Sequence, residues 1–175
     1  MSSHAERVEN EPLAWSEICE LAARGRFDGF HVDTDEWGRI LMTPVDLNHG
    51  RLSARVVRLL HEHLSGGEAV VEVGVATRRG VKAPDVMWLS SERMARRTGR
   101  YEDPLAGEVC VEVLSASNHP TEIEEKRRLY FEQGAEEVWI CERDGRVRFW
   151  VGPDAVRERS ALAPGFPDRV ELARR

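Results

Sequence analysis

In the run Val109-Cys110-Val111-Glu112-Val113-Leu114, one carboxylate interrupts an otherwise apolar stretch. Such a run has the composition of a strand buried on both faces, where an unpaired charge costs several kcal/mol. Glu112 therefore needs a compensating group. A second acid, Asp85, follows Pro84 and opens Val86-Met87-Trp88-Leu89, at the margin of another buried strand. Taken alone, each acid is explained as well by a structural ion pair with an arginine. Brought together, the two carboxylates repel, and one stays protonated unless a cation lies between them. A divalent metal resolves that conflict, and it requires Asp85 and Glu112 to share one face of a sheet.

Lys126 is the third member. It falls between Ile123 and Tyr130 at helical spacing, so it shares the inward stripe of a helix and needs an anionic partner there. The plainer account is a salt bridge to Glu122, one turn earlier, worth about 0.3–0.5 kcal/mol on a solvated face.

The elements that must position these residues follow from periodicity and turn chemistry. Residues 119–133 predict a long helix that begins after His119-Pro120 and stops at Gly134. Residues 69–75, 85–89 and 108–114 predict buried strands at the centre of a sheet. From Asn48 to Leu64, apolar residues recur at helical spacing, with Asp46 or Asn48 available as the cap. Phe27 to Val32 and Arg39 to Val45 predict an N-terminal hairpin across Asp35-Glu36-Trp37-Gly38, and Val138–Cys141 with Val147–Val151 a C-terminal one across Asp144-Gly145. A short helix near 12–24 precedes them, and the last segment adds an edge strand or nothing regular. The pattern is α/β: a central mixed β-sheet flanked by helices.

At 175 residues, 41% hydrophobic and 32% charged, the chain has the balance of a globular protein and is read as one domain over 1–175, with an ordered core at about 12–172. No apolar run approaches the roughly 20 residues that span a bilayer. Glu6, Glu9 and Glu11 break the basic-then-apolar pattern of a signal peptide. Both features predict a cytoplasmic protein away from membranes. Cys19, Cys110 and Cys141 are odd in number and lack Cys-x-x-Cys spacing, which argues for reduced, hydrophobic thiols. The net charge of −6 argues against an extended basic surface that coats DNA, though not against a local basic patch. Arg93, Arg96, Arg97 and Arg100 form one arginine group, and Lys126, Arg127 and Arg128 another. Solvated surface is the favoured reading of both.

Together these segments resemble the Uma-two family of predicted bacterial endonucleases, within the PD-(D/E)XK restriction-endonuclease-like superfamily. The segments are Gly38-Arg39-Ile40-Leu41-Met42-Thr43-Pro44, His49 opening a helix, Pro84-Asp85-Val86, Glu112-Val113-Leu114-Ser115 with Ser117 and Asn118, Lys126-Arg127-Arg128-Leu129-Tyr130, and Gly134-Ala135-Glu136-Glu137-Val138-Trp139. The resemblance implies a restriction-endonuclease-like core and metal-dependent hydrolysis of phosphodiesters. Carried over by position, Asp85 and Glu112 would ligate Mg²⁺, with Mn²⁺ as a substitute and the Val113 carbonyl and waters completing the shell. Lys126 would orient or deprotonate the attacking water. The superfamily's usual lysine position, two residues after the second acid, is Leu114 here, so that role moves to Lys126. A glutamate common on the strand before the hairpin is matched by Asp33, whose shorter side chain weakens its claim on the metal. His49 and Tyr130 also match family positions. For His49 a capping or surface role is favoured over phosphate contact, and for Tyr130 core packing with a bonded hydroxyl.

The leading expectation is a Mg²⁺-dependent endonuclease acting on DNA, with the choice between DNA and RNA left open by the sequence and a homodimer compatible with it. A second reading is a non-catalytic nucleic-acid or protein-binding module on the same fold. A third is a structural or regulatory homo-oligomer that uses Trp139, Phe149 and Trp150 as its interface.

Overall fold

The computed structural model describes residues 13–44, 46–99 and 101–172. The expectations that touch Glu6, Glu9, Glu11, Pro12, Val45 and Arg100 lie outside the described residues. In chain order the elements are α1 (Trp15–Ala23), β1 (Phe30–Thr34), β2 (Ile40–Pro44), α2 (Leu47–His63), β3 (Gly67–Val71), β4 (Gly74–Thr77), β5 (Gly80–Lys82) and β6 (Val86–Ser90). They continue with α3 (Ser91–Arg96), β7 (Glu102–Asp103), β8 (Val109–Val113), α4 (Pro120–Glu132), β9 (Glu137–Cys141), β10 (Val147–Gly152) and β11 (Ala155–Arg157).

Six strands make the main sheet in the order β11-β10-β9-β8-β6-β3. It is mixed: β8 and β9 run parallel, joined by α4 as the crossover helix that a parallel pair requires, and the other neighbours are antiparallel. Alternation along the strands sends opposite faces to opposite helices. Val86, Trp88, Val109, Val111 and Trp139 pack with Leu52, Val56 and Leu60 of α2. Met87, Cys110, Val138 and Ile140 pack with Ile123 and Tyr130 of α4. The sheet is thus a filling between two helices, which is why its central strands read as continuous apolar runs.

Both predicted hairpins form, and Gly38, Gly134 and Gly145 all take the positive φ expected of them. Asp46 caps α2, its Oδ1 accepting from the His49 backbone N–H at 2.8 Å. The first strand starts at Phe30 rather than Phe27, because the chain turns through Gly29 at φ 85°. A larger departure concerns residues 69–75, expected as one buried strand. The run breaks at Glu72, the non-glycine residue with a left-handed φ of 55° among the described residues. Before it, β3 is the edge of the main sheet and only partly buried; after it, β4 joins β5 and β7 in a separate sheet. Gly74 explains the change of sheet: its N–H donates to the Tyr101 carbonyl at 3.2 Å, and a side chain there would collide with Val81 and Trp15.

In the first arginine group Arg96 is exposed as expected, but Arg93 and Arg97 depart from solvated surface. Arg93 donates to the carbonyls of Ala106 and Gly134 and pairs with Glu108 and Glu136, while Arg97 donates to the carbonyls of Leu105 and Gly74. Both tie α3 and its C-terminal end to the backbone of neighbouring segments. In the second group Lys126 and Arg127 are buried, and the Arg127 guanidinium lies 3.5 Å from the centre of the Trp150 ring. Trp139 and Phe149 are wholly buried in the chain's own core, stacked edge-on at 5.1 Å, so neither is offered as an interface. All three cysteines are free thiols, Cys110 and Cys141 buried. Among the described residues no helix is long and apolar enough to cross a membrane.

Candidate active site

The register of β6 against β8 brings the two acids together. Val86 pairs with Val111 and Met87 with Cys110 in antiparallel order, so one further step sets Asp85 opposite Glu112. Directly opposed side chains have Cβ atoms about 4.5–5.5 Å apart. Both acids point to the α4 side, where they line one narrow cleft with His31, Thr43, His49 and Lys126. Asp85 sits just beyond the end of β6, and its Oδ2 accepts from the Val113 backbone N–H at 2.6 Å, standing in for the missing ladder partner.

α4 supplies the lysine and a tyrosine one turn on. Lys126 Nζ lies 2.8 Å from Asp33 Oδ2 and 3.3 Å from Glu112 Oε2; Glu122 lines the cleft but is not among its ion-pair partners. The Tyr130 hydroxyl donates to Glu112 Oε1 at 2.6 Å. Both Glu112 oxygens are therefore held, and the tyrosine does more than fill the core.

Asp33 arrives from the N-terminal hairpin. Its Oδ1 accepts from the Ala83 N–H at 2.7 Å, while the Val81 N–H donates to Thr34 Oγ1 at 2.9 Å and Lys82 Nζ to the Thr34 carbonyl at 2.6 Å. These bonds fasten β1 to β5 and so place Asp33 against the lysine. His49 is not the capping or surface residue expected: it is buried, and its Nε2 lies 3.1 Å from Asp85 Oδ1. Asp46, already the cap, leaves the His49 ring free to turn inward.

Two residues of this cluster escaped the sequence reading. His31 Nδ1 is 3.4 Å from Glu72 Oε2 and 3.6 Å from Asp85 Oδ1, and its Nε2 is 3.5 Å from Asp33 Oδ1. These are ion-pair contacts too long to be good hydrogen bonds, and neither ring nitrogen has a hydrogen-bond partner. A strand's period of two puts His31 on the same face as Asp33, which was the available signal. Glu72 interrupts the run Ala69-Val70-Val71-Glu72-Val73 much as Glu112 interrupts its own, so the same signal was present in the sequence.

The charges are unevenly distributed. Burial pushes Glu112 up to about 7, against the pull of Lys126 and with the help of Asp85. Asp85 moves the other way: burial would raise it, but the His49 contact and the positive charge of His31 hold it below the usual carboxylate range. Asp33, too, is buried, yet Lys126 and His31 hold it far down. Burial would lower Lys126, but Asp33 and Glu112 keep it above the ordinary lysine range. His31 is drawn down by burial and then, more strongly, up to about 11 by Asp33 and Glu72. Neighbouring carboxylates with pKa values driven apart, beside a fixed cation, are the kind of arrangement that active sites use.

A family model described as "Putative restriction endonuclease", Uma2, matches residues 35–171. The chain belongs to the Uma2 family. The match takes in Asp85, Glu112 and Lys126 and begins after His31 and Asp33. Among solved structures, a "putative nuclease belonging to DUF820" from Anabaena variabilis superposes with a TM-score of 0.60 at 16% identity, over 72% of this chain and 74% of that one. At that identity the likeness shows the fold alone, a central mixed sheet between helices. No curated protein matches the chain.

Proposed function

We propose that this Uma2 protein is a Mg²⁺-dependent endonuclease that hydrolyses phosphodiester bonds in DNA. The observation that carries the reading is the cleft itself, with Asp85 and Glu112 opposed across two strands and Lys126 reaching both Glu112 and Asp33. The donor set fits a cation: three buried carboxylates converge there, and the buried His31 ring has no hydrogen-bond partner of its own. Asp85 and Glu112 would hold the ion. The Val113 carbonyl would join them, since a strand residue's C=O and N–H point the same way and the Val113 N–H already faces Asp85.

Bound there, the ion would polarise a phosphate oxygen and make a nearby water more acidic. The protein's own groups do the rest. Lys126, held above the ordinary lysine range, is a poor base, so of the two roles open to it the fixed cation is favoured, offsetting negative charge as it develops on phosphorus. Tyr130 fixes the Glu112 carboxyl, and Asp33 fixes the lysine. Support for a nucleic-acid substrate comes from a groove along α2 that carries Arg51, Arg55, Arg58, Arg143 and Arg169 against the acids Asp144 and Glu171.

The test is cleavage of plasmid and single-stranded DNA by purified protein in Mg²⁺ against chelator, beside Glu112→Ala. Cleavage that needs both the metal and Glu112 is expected. Metal-independent nicking, or cleavage retained in Glu112→Ala, overturns the reading; DNA binding with no cleavage favours the binding module instead.

A further inference from the structure

We propose that His31 Nδ1, a Glu72 carboxylate oxygen and Asp85 Oδ1 form a cation position of mixed nitrogen and oxygen donors. It would take a first-row transition ion such as Mn²⁺ in preference to Mg²⁺. One ligand atom from each of these residues lies within 4.8 Å of the others, close enough to share an ion. An acidic cluster by itself would mean little. Here a histidine only 7% exposed is aimed into it, and both its ring nitrogens lack hydrogen-bond partners. Only ion-pair contacts of 3.4–3.6 Å to Asp33, Glu72 and Asp85 hold the ring, and a cation bound among these carboxylates would take the place of its proton.

The surroundings match what a metal-bound histidine needs. Its second nitrogen usually faces a carboxylate that fixes the ring and its tautomer. His31 Nε2 faces Asp33 Oδ1 at 3.5 Å, and Asp33 is itself fixed by the Ala83 N–H and Lys126. Asp33 is thus a positioning residue for this site. Asp85 divides its oxygens between two neighbourhoods: Oδ2 faces Val113 and Oδ1 faces His31 and His49. The carboxylate can therefore serve this position without leaving Glu112.

Glu72 reaches the cluster from the left-handed backbone break, a conformation that a glutamate adopts only under constraint. The ligand chemistry sets the preference. Mg²⁺ favours an all-oxygen octahedron, whereas first-row transition ions accept an imidazole nitrogen, Mn²⁺ the weakest of them but the one whose paramagnetism reads ligation directly. The Uma2 match begins at residue 35, so His31 lies outside the matched segment.

The inference shares Asp85 with the proposed Mg²⁺ site and rests on that reading for any part in cleavage, but its test reads ligation. Pulsed EPR of the full chain loaded with Mn²⁺ should show nitrogen hyperfine modulation. That modulation should vanish in His31→Gln and persist in His49→Gln. Because His31→Gln alters a buried position, Glu72→Gly is the companion: it removes the carboxylate while suiting the positive φ. Glu72→Gly should weaken Mn²⁺ binding by ~10-fold or more and leave Mg²⁺ binding within about twofold. No nitrogen modulation, modulation that survives His31→Gln, or unchanged Mn²⁺ affinity in Glu72→Gly each overturns the inference. A parallel Mg²⁺ titration of Glu112→Gln keeps the two failures apart, since lost Mg²⁺ binding there without nitrogen ligation in the wild type removes this site and leaves the nuclease reading standing.

Discussion

Lys126 and Glu112 bear on chemistry in opposite senses, one as a fixed charge and the other as a group poised between charge states. Lys126→Met keeps the apolar stem that packs beside Ile123 and Tyr130, and removes only the ammonium. Cleavage should fall ~100-fold or more while Mg²⁺ binding survives, because the proposed ligands lie elsewhere. Single-turnover cleavage set against Mg²⁺ titration separates the two effects, and full activity in a folded variant would remove Lys126 from the mechanism. Glu112 offers a test in pH. Its folded pKa of about 7 lies above its ordinary 4.5, so the folded state holds the proton more tightly. The metal-free protein should therefore lose stability as pH rises across that window. Glu112→Gln mimics the protonated acid: its amide oxygen can accept from Lys126 and its NH₂ can donate to the Tyr130 oxygen. Urea unfolding in chelator at about pH 5 and about pH 8 should show that loss in the wild type and a smaller one in Glu112→Gln. At the higher pH the variant should be at least as stable as the wild type, yet gain less from added Mg²⁺. These two residues were legible in the sequence because each sets a charge where apolar periodicity forbids one. His31 was not, since a histidine on a short strand creates no such conflict; Glu72 does set a charge in an apolar run, but that run reads as one buried strand until the break between two sheets is seen.

At the level of elements, the site depends on how β1–β2 docks. This hairpin is not part of the main sheet, and its hold on β5 runs through Thr34, Asp33 and the turn at Gly80. Gly80 sits at φ 89°, and a Cβ there would come within 2.2 Å of the Asp35 carbonyl oxygen and 2.6 Å of that of Thr34. Gly80→Ala should therefore cost about 2 kcal/mol or more, combining left-handed strain with a backbone clash. A thermal melt should register it as a drop of several degrees. Because the displaced carbonyl is two residues from Asp33, Lys126 should lose part of its support, and activity should fall by more than the lost folded fraction explains. A change under about 0.5 kcal/mol would mean that the hairpin floats on β5. The long helices, both hairpins and the pair β6 and β8 were readable because helical period, strand alternation and turn residues are local signals. The break at Glu72 was not: whether an apolar run stays in one sheet depends on what packs against Gly74, and Trp15 and the Tyr101 carbonyl come from distant segments.

Across the whole molecule the difficulty is charge. A net charge of −6 repels a polyanion at long range, so DNA affinity must come from local arginines acting within about a Debye length, roughly 8–10 Å at moderate salt. The groove from Asn48 along α2 to the C-terminal segment supplies them, with five arginines against two acids. It shares α2 with the cleft, which His49 lines, but no lining residue. Each phosphate neutralised releases counterions and adds about 0.9 to the slope of log affinity against log salt. Removing two such contacts with Arg55→Ala and Arg143→Ala should weaken DNA binding at every sequence alike and lower that slope by about 2. Anisotropy titrations of a labelled duplex across a range of salt, with Ca²⁺ replacing Mg²⁺ to suppress cleavage, measure both quantities. Arg78→Ala is the control, since Arg78 is paired with Glu132 away from this groove and should leave the slope unchanged. An unchanged slope in the double variant would place the DNA path elsewhere, the second arginine-lined groove at Arg146, Arg148, Arg157 and Arg159 being the next surface to test. A smaller slope with cleavage of short oligonucleotides intact would separate docking from chemistry, because only the groove, and none of the groups around Asp85, would have changed.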